Sequence, residues 1–289
     1  MLTVNQYCRE KFGEKLYKLS LNGGFSCPNR DGTLDSRGCI FCSAGGSGDF
    51  APSASLPIEQ QIEEAKARVA AKYRGSRYIA YFQAFTNTHA PVERLRQLYL
   101  PVISRDDIAV LSIATRPDCL GEDVLELLAQ LNHIKPVWVE LGLQTTKPES
   151  ARYIRRGYEL PVYDEAVRTL NSLGIHVITH VILGLPGETE ADMLNTVRHV
   201  VNVGSGGIKL QLLHVLEGTE LAAEYRIGKF QTMEMDEYIA LLKKCLALLP
   251  EHMVVHRLTG DGPKKSLIAP LWTADKKRVI NAIKRELGI

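Results

Sequence analysis

Three cysteines stand close together near the start of the chain. Cys27, Cys39 and Cys42 have the spacing CX11CX2C and directly follow the first predicted strand. Gly, Pro, Asn and Asp between them predict a loop that can fold around a compact inorganic centre. The three thiolates are therefore expected to converge on one metal centre.

The number of clustered cysteines favours an iron–sulfur cluster over structural zinc. Structural zinc normally has four protein ligands, whereas a cubane cluster held by three cysteines leaves one iron open for chelation. Zinc would need a fourth ligand, for which Cys8 and His89 are candidates, but neither lies in a second CX2C. The zinc alternative stays open here. Cys8, Cys119 and Cys245 are otherwise expected to be buried small hydrophobic residues.

Composition indicates an ordinary globular protein. The chain has 289 residues, of which 45% are hydrophobic and 24% charged, enough for one large domain with a substantial core. No apolar run reaches the roughly 18 residues that span a bilayer, so we expect a cytoplasmic protein with no membrane partner. The net charge of +2 does not by itself indicate that the protein binds nucleic acid. From Lys264 onward, however, the sequence contains seven basic residues and only two acidic ones. A solvated helix face would explain that run equally well.

Strand-like and helical patterns alternate along the chain, which is typical of an α/β protein with a parallel sheet. We predict a partial (βα)6 TIM-like barrel at residues 1–250, including the cluster loop, and a short C-terminal extension at 251–289 packed on this core. The extension contains a strand-like run at 253–258 and a helix at 274–287. The predicted strands are 15–21, 78–83, 109–114, 137–143, 176–183 and 209–215, and the helices are 58–73, 92–103, 122–131, 162–173, 190–203 and 236–249.

Polar and glycine-rich segments follow the predicted strands. In βα barrels the loops at the carboxyl ends of the strands form the active site, so segments 83–87, 115–118, 144–146, 184–188 and 214–219 are expected to converge. Gly184-Leu-Pro-Gly-Glu lacks the Lys-Ser/Thr of a phosphate loop and predicts a tight turn instead. His180 is expected to be a hydrogen-bonded core residue. His214 is left open between the core and a ligand contact.

These segments resemble radical S-adenosylmethionine enzymes over nearly the whole chain, in particular the elongator-catalytic-subunit branch and its YhcC/YtqA-type bacterial family. The commonest cluster loop in these enzymes is CX3CX2C, so the longer first gap departs from it. The acetyltransferase domain of the elongator subunit is absent, so acetyl transfer is not implied. The resemblance is carried by NGGFSCPNRDG from Asn22, YFQAFTNT from Tyr81, SIATRPD from Ser112, ELGLQT from Glu140, RGY from Arg156, HVILGLPGE from His180 and LHVLEGT from Leu213.

The resemblance implies an enzyme with a 4Fe-4S cluster on the three cysteines and S-adenosylmethionine on the open iron. An external one-electron donor such as flavodoxin or ferredoxin would start cleavage to a 5′-deoxyadenosyl radical. The residues that would contact the amino group of S-adenosylmethionine are Gln83, Thr86 and Asn87. Glu140 and Gln144 would contact the ribose or the methionine of the cofactor. Alternatively, Glu140 and Gln144 pair with neighbouring strands. Arg156 would neutralise the carboxylate unless it sits on a solvated helix start, and His214 is a further candidate contact.

The substrate that the resemblance implies is the wobble uridine of tRNA. The expected reaction converts the C5 side chain of carboxymethylaminomethyl-uridine to aminomethyl. Two rivals remain: a small-molecule oxidase of the coproporphyrinogen dehydrogenase type, and a non-catalytic Fe-S protein that binds RNA or senses redox state. Basic residues that would contact RNA phosphates are Arg152, Arg155, Lys264, Lys265, Lys276, Lys277 and Arg278.

Overall fold

Eight parallel strands form one curved sheet in the computed structural model, which describes residues 1–46, 48, 51–73, 75–260 and 262–288. The sheet order is β1-β9-β7-β6-β5-β4-β3-β2, and a separate antiparallel pair joins β8 to β10. The strands are β1 (Leu2–Thr3), β2 (Tyr17–Leu21), β3 (Tyr78–Phe82), β4 (Ile108–Thr115), β5 (Val137–Gln144), β6 (His176–Leu183), β7 (Gly207–Leu212), β8 (Val215–Leu216), β9 (Val254–Arg257) and β10 (Leu267–Ala269).

Helices follow the strands, as right-handed crossovers between parallel strands require. Local capping fixes where some of them start: the Thr189 hydroxyl accepts from the backbone of Asp192, whose side chain accepts from the Thr189 backbone. The helices are α1 (Val4–Phe12), α2 (Ile58–Val69), α3 (Val92–Ser104), α4 (Glu122–Ile134), α5 (Pro148–Tyr153), α6 (Leu160–Ser172), α7 (Glu190–Asn202), α8 (Glu220–Arg226), α9 (Met235–Ala247) and α10 (Lys276–Leu287).

The partial TIM-like barrel is confirmed, and its six predicted βα units correspond to β2 through β7 with their helices. Two further strands, β9 and β1, extend the sheet beyond β7. β9 lies within the strand-like run noted after residue 250, so the segment assigned to the C-terminal extension supplies a strand to the main sheet. The division of the chain at residue 250 stays a prediction. Sequence periodicity missed α1, α5, α8 and the β8–β10 pair, which are all short.

Apolar side chains fill the space between the outer face of the sheet and the helices. Phe82, Tyr99, Tyr163 and Tyr238 are fully buried there with many aliphatic residues, and this burial is the main stabilising term for the fold. Among the described residues, no helix combines the length and apolar character that crossing a membrane requires.

Helix α1 closes the lower end of the curved sheet, opposite the carboxyl ends of the strands. Its Cys8 is buried in an apolar cluster with Trp138. The Tyr7 ring lies 5.5 Å from the ring of His176 and stacks on it, and it lies 6.0 Å from the Trp138 ring. Cys8 is therefore a buried small hydrophobe, as expected, and its position at this end excludes it as a fourth zinc ligand.

Candidate active site

A cavity of about 440 Å³ opens where the strands end and runs down into the curved sheet. Among the described residues, nine of the ten predicted cluster and cofactor residues line it. They are Cys27, Cys39, Cys42, Gln83, Thr86, Glu140, Gln144, Arg156 and His214. The convergence of polar groups on the strand ends, which the βα pattern predicts, is thus present in the fold.

The cysteine loop is held in place by hydrogen bonds from residues around it. Asn29 Nδ2 lies 3.4 Å from Cys39 Sγ and donates to the Arg155 carbonyl oxygen at 2.7 Å. Arg30 donates to the carbonyl oxygens of Cys42 at 2.8 Å and Ser43 at 2.7 Å. These bonds fix the loop backbone, so the three sulfur atoms face the cavity from a preformed frame.

Arg155 contacts the same loop from the other side. Its Nε donates to the Gly38 carbonyl oxygen at 2.7 Å, and its Nη1 pairs with Glu220 Oε2 at 2.6 Å. Ile40 is buried with Ile154, Leu185, Leu213 and Leu221, which anchors the loop between its second and third cysteines. Arg155 therefore positions the cysteine loop, and the expectation that its guanidinium is available to RNA phosphates is corrected by these contacts.

Three partly buried thiols line one cavity, although among the described residues no three His, Cys, Asp or Glu side chains are grouped so that they could hold a metal ion. Burial raises the pKa of Cys39, and burial together with the adjacent Cys39 raises the pKa of Cys42 to about 12, because thiolate charge is costly without a compensating cation. Metal coordination supplies that cation and deprotonates the thiols. His89, the other candidate zinc ligand, pairs instead with Asp31, its Nε2 lying 2.8 Å from Oδ2. The three sulfur atoms share one cavity, and their binding of a cluster stays a prediction.

The two remaining cysteines differ from each other. Cys245 is buried in α9 in the main core, as expected. Cys119 is only partly buried, beside Arg116, and burial raises its pKa to about 12. The expectation that Cys119 is buried is therefore wrong, because the loop after β4 lies at the rim of the sheet and leaves Cys119 partly exposed.

Thr86 and Asn87 follow β3 but occupy different places. Thr86 is buried and lines the cavity, with its backbone N–H donating to the Ser26 carbonyl oxygen at 3.1 Å. Asn87 lies behind the cavity wall, where its Nδ2 donates to the carbonyl oxygens of Phe82 at 3.2 Å and Ala114 at 2.9 Å. Asn87 thus joins the ends of β3 and β4, and a cofactor contact by it stays a prediction.

The end of β5 has an unusual backbone. Gln144 has φ of +64°, a conformation that non-glycine residues rarely adopt. When the side-chain amide is oriented with its nitrogen towards the backbone of β5, this nitrogen donates to the carbonyl oxygens of Gly142 at 3.0 Å and Leu143 at 2.9 Å. A strained residue at the mouth of a cavity is typical of functional sites. Gln144 is the last residue of β5 and is paired with Val181 of β6, after a shift in the register between Gly142 and Gln144, and it lines the cavity.

Arg156 is buried and lines the cavity, so the alternative of a solvated helix start is wrong. Its Nη1 donates to the Thr145 carbonyl oxygen at 2.8 Å, and its Nε donates to the Tyr158 carbonyl oxygen at 3.0 Å. The guanidinium also lies 4.5 Å from the centre of the Tyr158 ring. These bonds hold the loop after β5, and a contact between Arg156 and a cofactor carboxylate stays a prediction.

Glu140 is the centre of an ion-pair network inside the cavity. Its side chain is fully buried, and its Oε1 lies 2.7 Å from Lys18 Nζ and accepts from Ser112 at 2.9 Å. Its Oε2 lies 2.7 Å from His180 Nε2 and also pairs with Lys209 Nζ. Burial alone would raise the pKa of Glu140, but Lys18 and Lys209 outweigh it and hold that pKa well below its usual range.

This network matches the alternative in which Glu140 pairs with neighbouring strands. His180 is hydrogen-bonded, as the sequence predicts, but it lines the cavity with its side chain 19% exposed and does not lie in the core. Burial, with Lys209 nearby, lowers its pKa to about 4. Lys18 and Lys209 were missed, because a lysine within a strand gives no sequence signal of facing inward. A role for Glu140 at the ribose or the methionine stays a prediction.

Two further predicted features lie at the mouth. Gly184 and Gly187 have φ of +87° and +79°, which confirms the tight turn after β6 and its need for glycine. His214 lies against Gly260, where a Cβ atom would come within 2.2 Å of the imidazole Cε1. The segment after β9 therefore packs directly on His214 at the cavity wall.

Comparison with known proteins agrees with this geometry. The sequence profile described as the Radical SAM superfamily matches residues 36–200, and the one described as the Radical_SAM C-terminal domain matches residues 206–288. The chain belongs to the radical SAM superfamily of enzymes. The two predicted cofactors, a 4Fe-4S cluster and S-adenosylmethionine, are thereby confirmed at the level of the family.

Two bacterial relatives cover most of the chain. The uncharacterized protein YtqA of Bacillus subtilis is 47% identical over 285 residues, which is 99% of this chain and 88% of YtqA. Protein YhcC of Escherichia coli K12 is 37% identical over 267 residues, which is 92% of this chain and 85% of YhcC. The predicted membership of the YhcC/YtqA-type family is confirmed.

More distant similarity leads to elongator-like proteins. The solved structure of archaeal Elp3 from Methanocaldococcus infernus superposes with a TM-score of 0.67 at 15% identity, covering 96% of this chain and 64% of that one. The chain thus spans less than two thirds of Elp3. A protein named tRNA uridine(34) acetyltransferase in Methanocaldococcus jannaschii is 26% identical over 161 residues, 55% of this chain and 29% of its own.

Proposed function

We propose that this radical SAM enzyme holds a 4Fe-4S cluster on Cys27, Cys39 and Cys42 and modifies the C5 side chain of the tRNA wobble uridine in the cytoplasm. The supporting observation is that the three cysteines and six predicted cofactor residues line one cavity at the strand ends. When bound, the cluster and S-adenosylmethionine supply a carbon-centred radical that removes hydrogen from unactivated carbon.

The residues of the chain orient the reactants and exclude water. Arg30, Asn29 and Arg155 hold the cysteine loop, and Arg156 holds the loop after β5. A preformed frame of this kind reduces the reorganisation that a reaction requires. The cavity extends into the sheet as far as Glu140 and Lys209, so a substrate base would have to leave its stack and enter from the mouth, as enzymes that act on bases require.

The tRNA substrate is supported by the relatives and by the charge around the mouth. The name of the archaeal relative refers to tRNA uridine(34). Pro263 lines the cavity, and the next two residues, Lys264 and Lys265, are exposed. The basic residues of α10 at 276–278 and Arg152 of α5 are exposed as well. Such lysines and arginines bind phosphates without reading sequence.

The proposed conversion of carboxymethylaminomethyl-uridine to aminomethyl-uridine is an oxidative dealkylation. The carbon between the nitrogen and the carboxylate would be oxidised by two electrons with S-adenosylmethionine as the oxidant, and water would then break the carbon–nitrogen bond, which leaves aminomethyl-uridine and glyoxylate. The experiment is mass analysis of tRNA nucleosides from a strain that lacks the gene, complemented with the wild type or with Cys39→Ala. We expect the carboxymethylaminomethyl form to accumulate without the gene, the wild type to restore aminomethyl-uridine and Cys39→Ala to fail. Cys245→Ala is the matched control, because that cysteine lies in the core away from the cavity. Identical nucleosides in all strains would refute the substrate.

Purified protein tests the radical step separately. Anaerobic wild type with an external one-electron donor such as flavodoxin should release 5′-deoxyadenosine from S-adenosylmethionine, and Cys39→Ala should release none. Iron content and visible absorbance should fall in the same variant. Stoichiometric zinc with no iron in the wild type would refute the cluster, and iron without 5′-deoxyadenosine would favour the Fe-S sensor alternative.

A further inference from the structure

Five side chains from five different strands form a charged layer inside the cavity. We call Lys18, Tyr81, Glu140, Lys209 and Arg257 the charged layer, and all five line the cavity. Both lysine ammonium groups lie over the ring of Tyr81, Lys18 at 4.5 Å and Lys209 at 4.6 Å from its centre. Lys209 Nζ also lies 3.2 Å from the Tyr81 hydroxyl. The lysines of two strands are thereby held together around one aromatic ring.

The layer has more basic groups than its carboxylate can pair. Glu140 is shared between Lys18 and Lys209. Arg257 contacts Gln211 instead, its Nη1 lying 3.2 Å from the amide oxygen, and in the described part of the chain no carboxylate lies within ion-pair distance of it. Uncompensated positive charge inside a protein is costly. A layer that serves only to join strands would not need the third basic group.

The charged layer lies well below the carboxyl end of β5. Glu140 precedes the end of β5 at Gln144 by four residues, which is roughly 13 Å at about 3.3 Å per residue. Burial lowers the pKa of Lys209, and Lys18 and Arg257 add to this effect while Glu140 opposes it. A second anion between these groups would reduce their mutual repulsion. The place therefore suits one slim, singly charged anionic group that reaches in from the mouth.

We propose that the charged layer binds a carboxylate of the substrate, and this inference rests on the proposed function. The carboxymethylaminomethyl side chain ends in such a carboxylate, whereas its aminomethyl product has none. The layer would thus hold the substrate by the group that the reaction removes and release the product. A phosphate of the RNA backbone is a worse fit, because it carries bulky ester groups and lies outside the base.

The test compares two anticodon stem-loop RNAs that differ only in the wobble side chain, carboxymethylaminomethyl or aminomethyl. Dissociation constants are measured anaerobically on the cluster-loaded protein with S-adenosylmethionine present. We expect the carboxylate-bearing RNA to bind about 10-fold or more tightly than the other RNA. The loss of one hydrogen bond to a charged group typically weakens binding by at least this factor. The preference should vanish in Arg257→Gln, return partly in Arg257→Lys and persist in the surface control Lys243→Gln.

The outcomes separate the two proposals. If the wild type binds neither RNA, the proposed tRNA substrate is wrong, and the proposal that the charged layer binds its carboxylate fails with it. If it binds both equally, the tRNA proposal stands and the carboxylate site is refuted. The carboxylate of S-adenosylmethionine is the other source of this chemistry, so the cofactor is titrated alone into each variant. Weaker cofactor binding in Arg257→Gln with an unchanged RNA preference would also refute the proposal.

Discussion

Replacing Glu140 with glutamine removes one charge from the ion-pair network while keeping the shape of the side chain. Glu140 is fully buried, and the Lys209 side chain is only 3% exposed, so the lysine cannot turn to solvent when its partner is neutral. Removing one member of a buried pair typically costs about 3–5 kcal/mol of unfolding free energy. We expect Glu140→Gln to fall in that range at pH 7.

The pH dependence of the loss identifies its cause. Burial lowers the pKa of Lys209 and the Glu140 carboxylate opposes this, so the variant lowers that pKa further. The unfolded chain keeps this proton up to about pH 10.4, and the folded variant releases it at a lower pH than the folded wild type does. Unfolding above that lowered pKa takes up a proton, so stability increases with pH from the lowered pKa up to about pH 10.4. The slope of the variant should exceed that of wild type by up to about 1.4 kcal/mol per pH unit.

Urea unfolding followed by tryptophan fluorescence measures this effect, since Trp138 is fully buried in the lower end of the sheet. Glu190→Gln is the matched control: its pair with Lys244 is exposed, with the two side chains 51% and 53% accessible, and should contribute less than about 1 kcal/mol. Two results would refute the reasoning that Lys209 is left buried without a partner. One is a loss of unfolding free energy below about 1 kcal/mol for Glu140→Gln, and the other is the same dependence of unfolding free energy on pH in the variant and the wild type.

Three further outcomes follow from the site. Arg155→Ala should lower the iron-to-protein ratio after anaerobic purification, because Gly38 loses its hydrogen-bond donor, while the exposed Arg152→Ala should not; equal ratios would contradict that role. Charge reversal at the three basic residues 276–278 should reduce the slope of log binding constant against log salt for tRNA by up to about 2–3, and an unaltered slope would place the RNA elsewhere. Gly184→Ala should destabilise the protein by about 1–2 kcal/mol, because its φ is +87°; an unchanged urea midpoint would show that the turn relaxes.

The sequence predicts the cavity better than it predicts the interactions within it. Cysteine spacing, strand periodicity and the glycines after β6 are local signals, and each leads to the right element and the right end of the sheet. The pairing of Glu140 with Lys18 joins residues 122 positions apart. It depends on which strands are neighbours and which side of each strand faces inward, and neither can be read from one strand alone.

The partners of arginine side chains are poorly determined by the local sequence. Arg155 and Arg156 are adjacent, yet one holds the cysteine loop and the other the loop after β5. An arginine can bind carbonyl oxygens, carboxylates or phosphates with the same donors, so its residue type does not determine its partner. Only the position of the surrounding backbone decides it.

Helix α1 covers the lower end of the curved sheet below Trp138, so in the part of the chain that the structure describes the cavity is reached from the carboxyl ends of the strands. The tRNA base, S-adenosylmethionine and the reaction products would all have to pass through the mouth of the cavity beside the cysteine loop. A shared opening imposes an order of binding and release. The molecule that binds deepest in the cavity has to bind first and be released last. Cleaved cofactor that lingers at the rim would then delay departure of the finished base, so turnover should slow as free 5′-deoxyadenosine builds up.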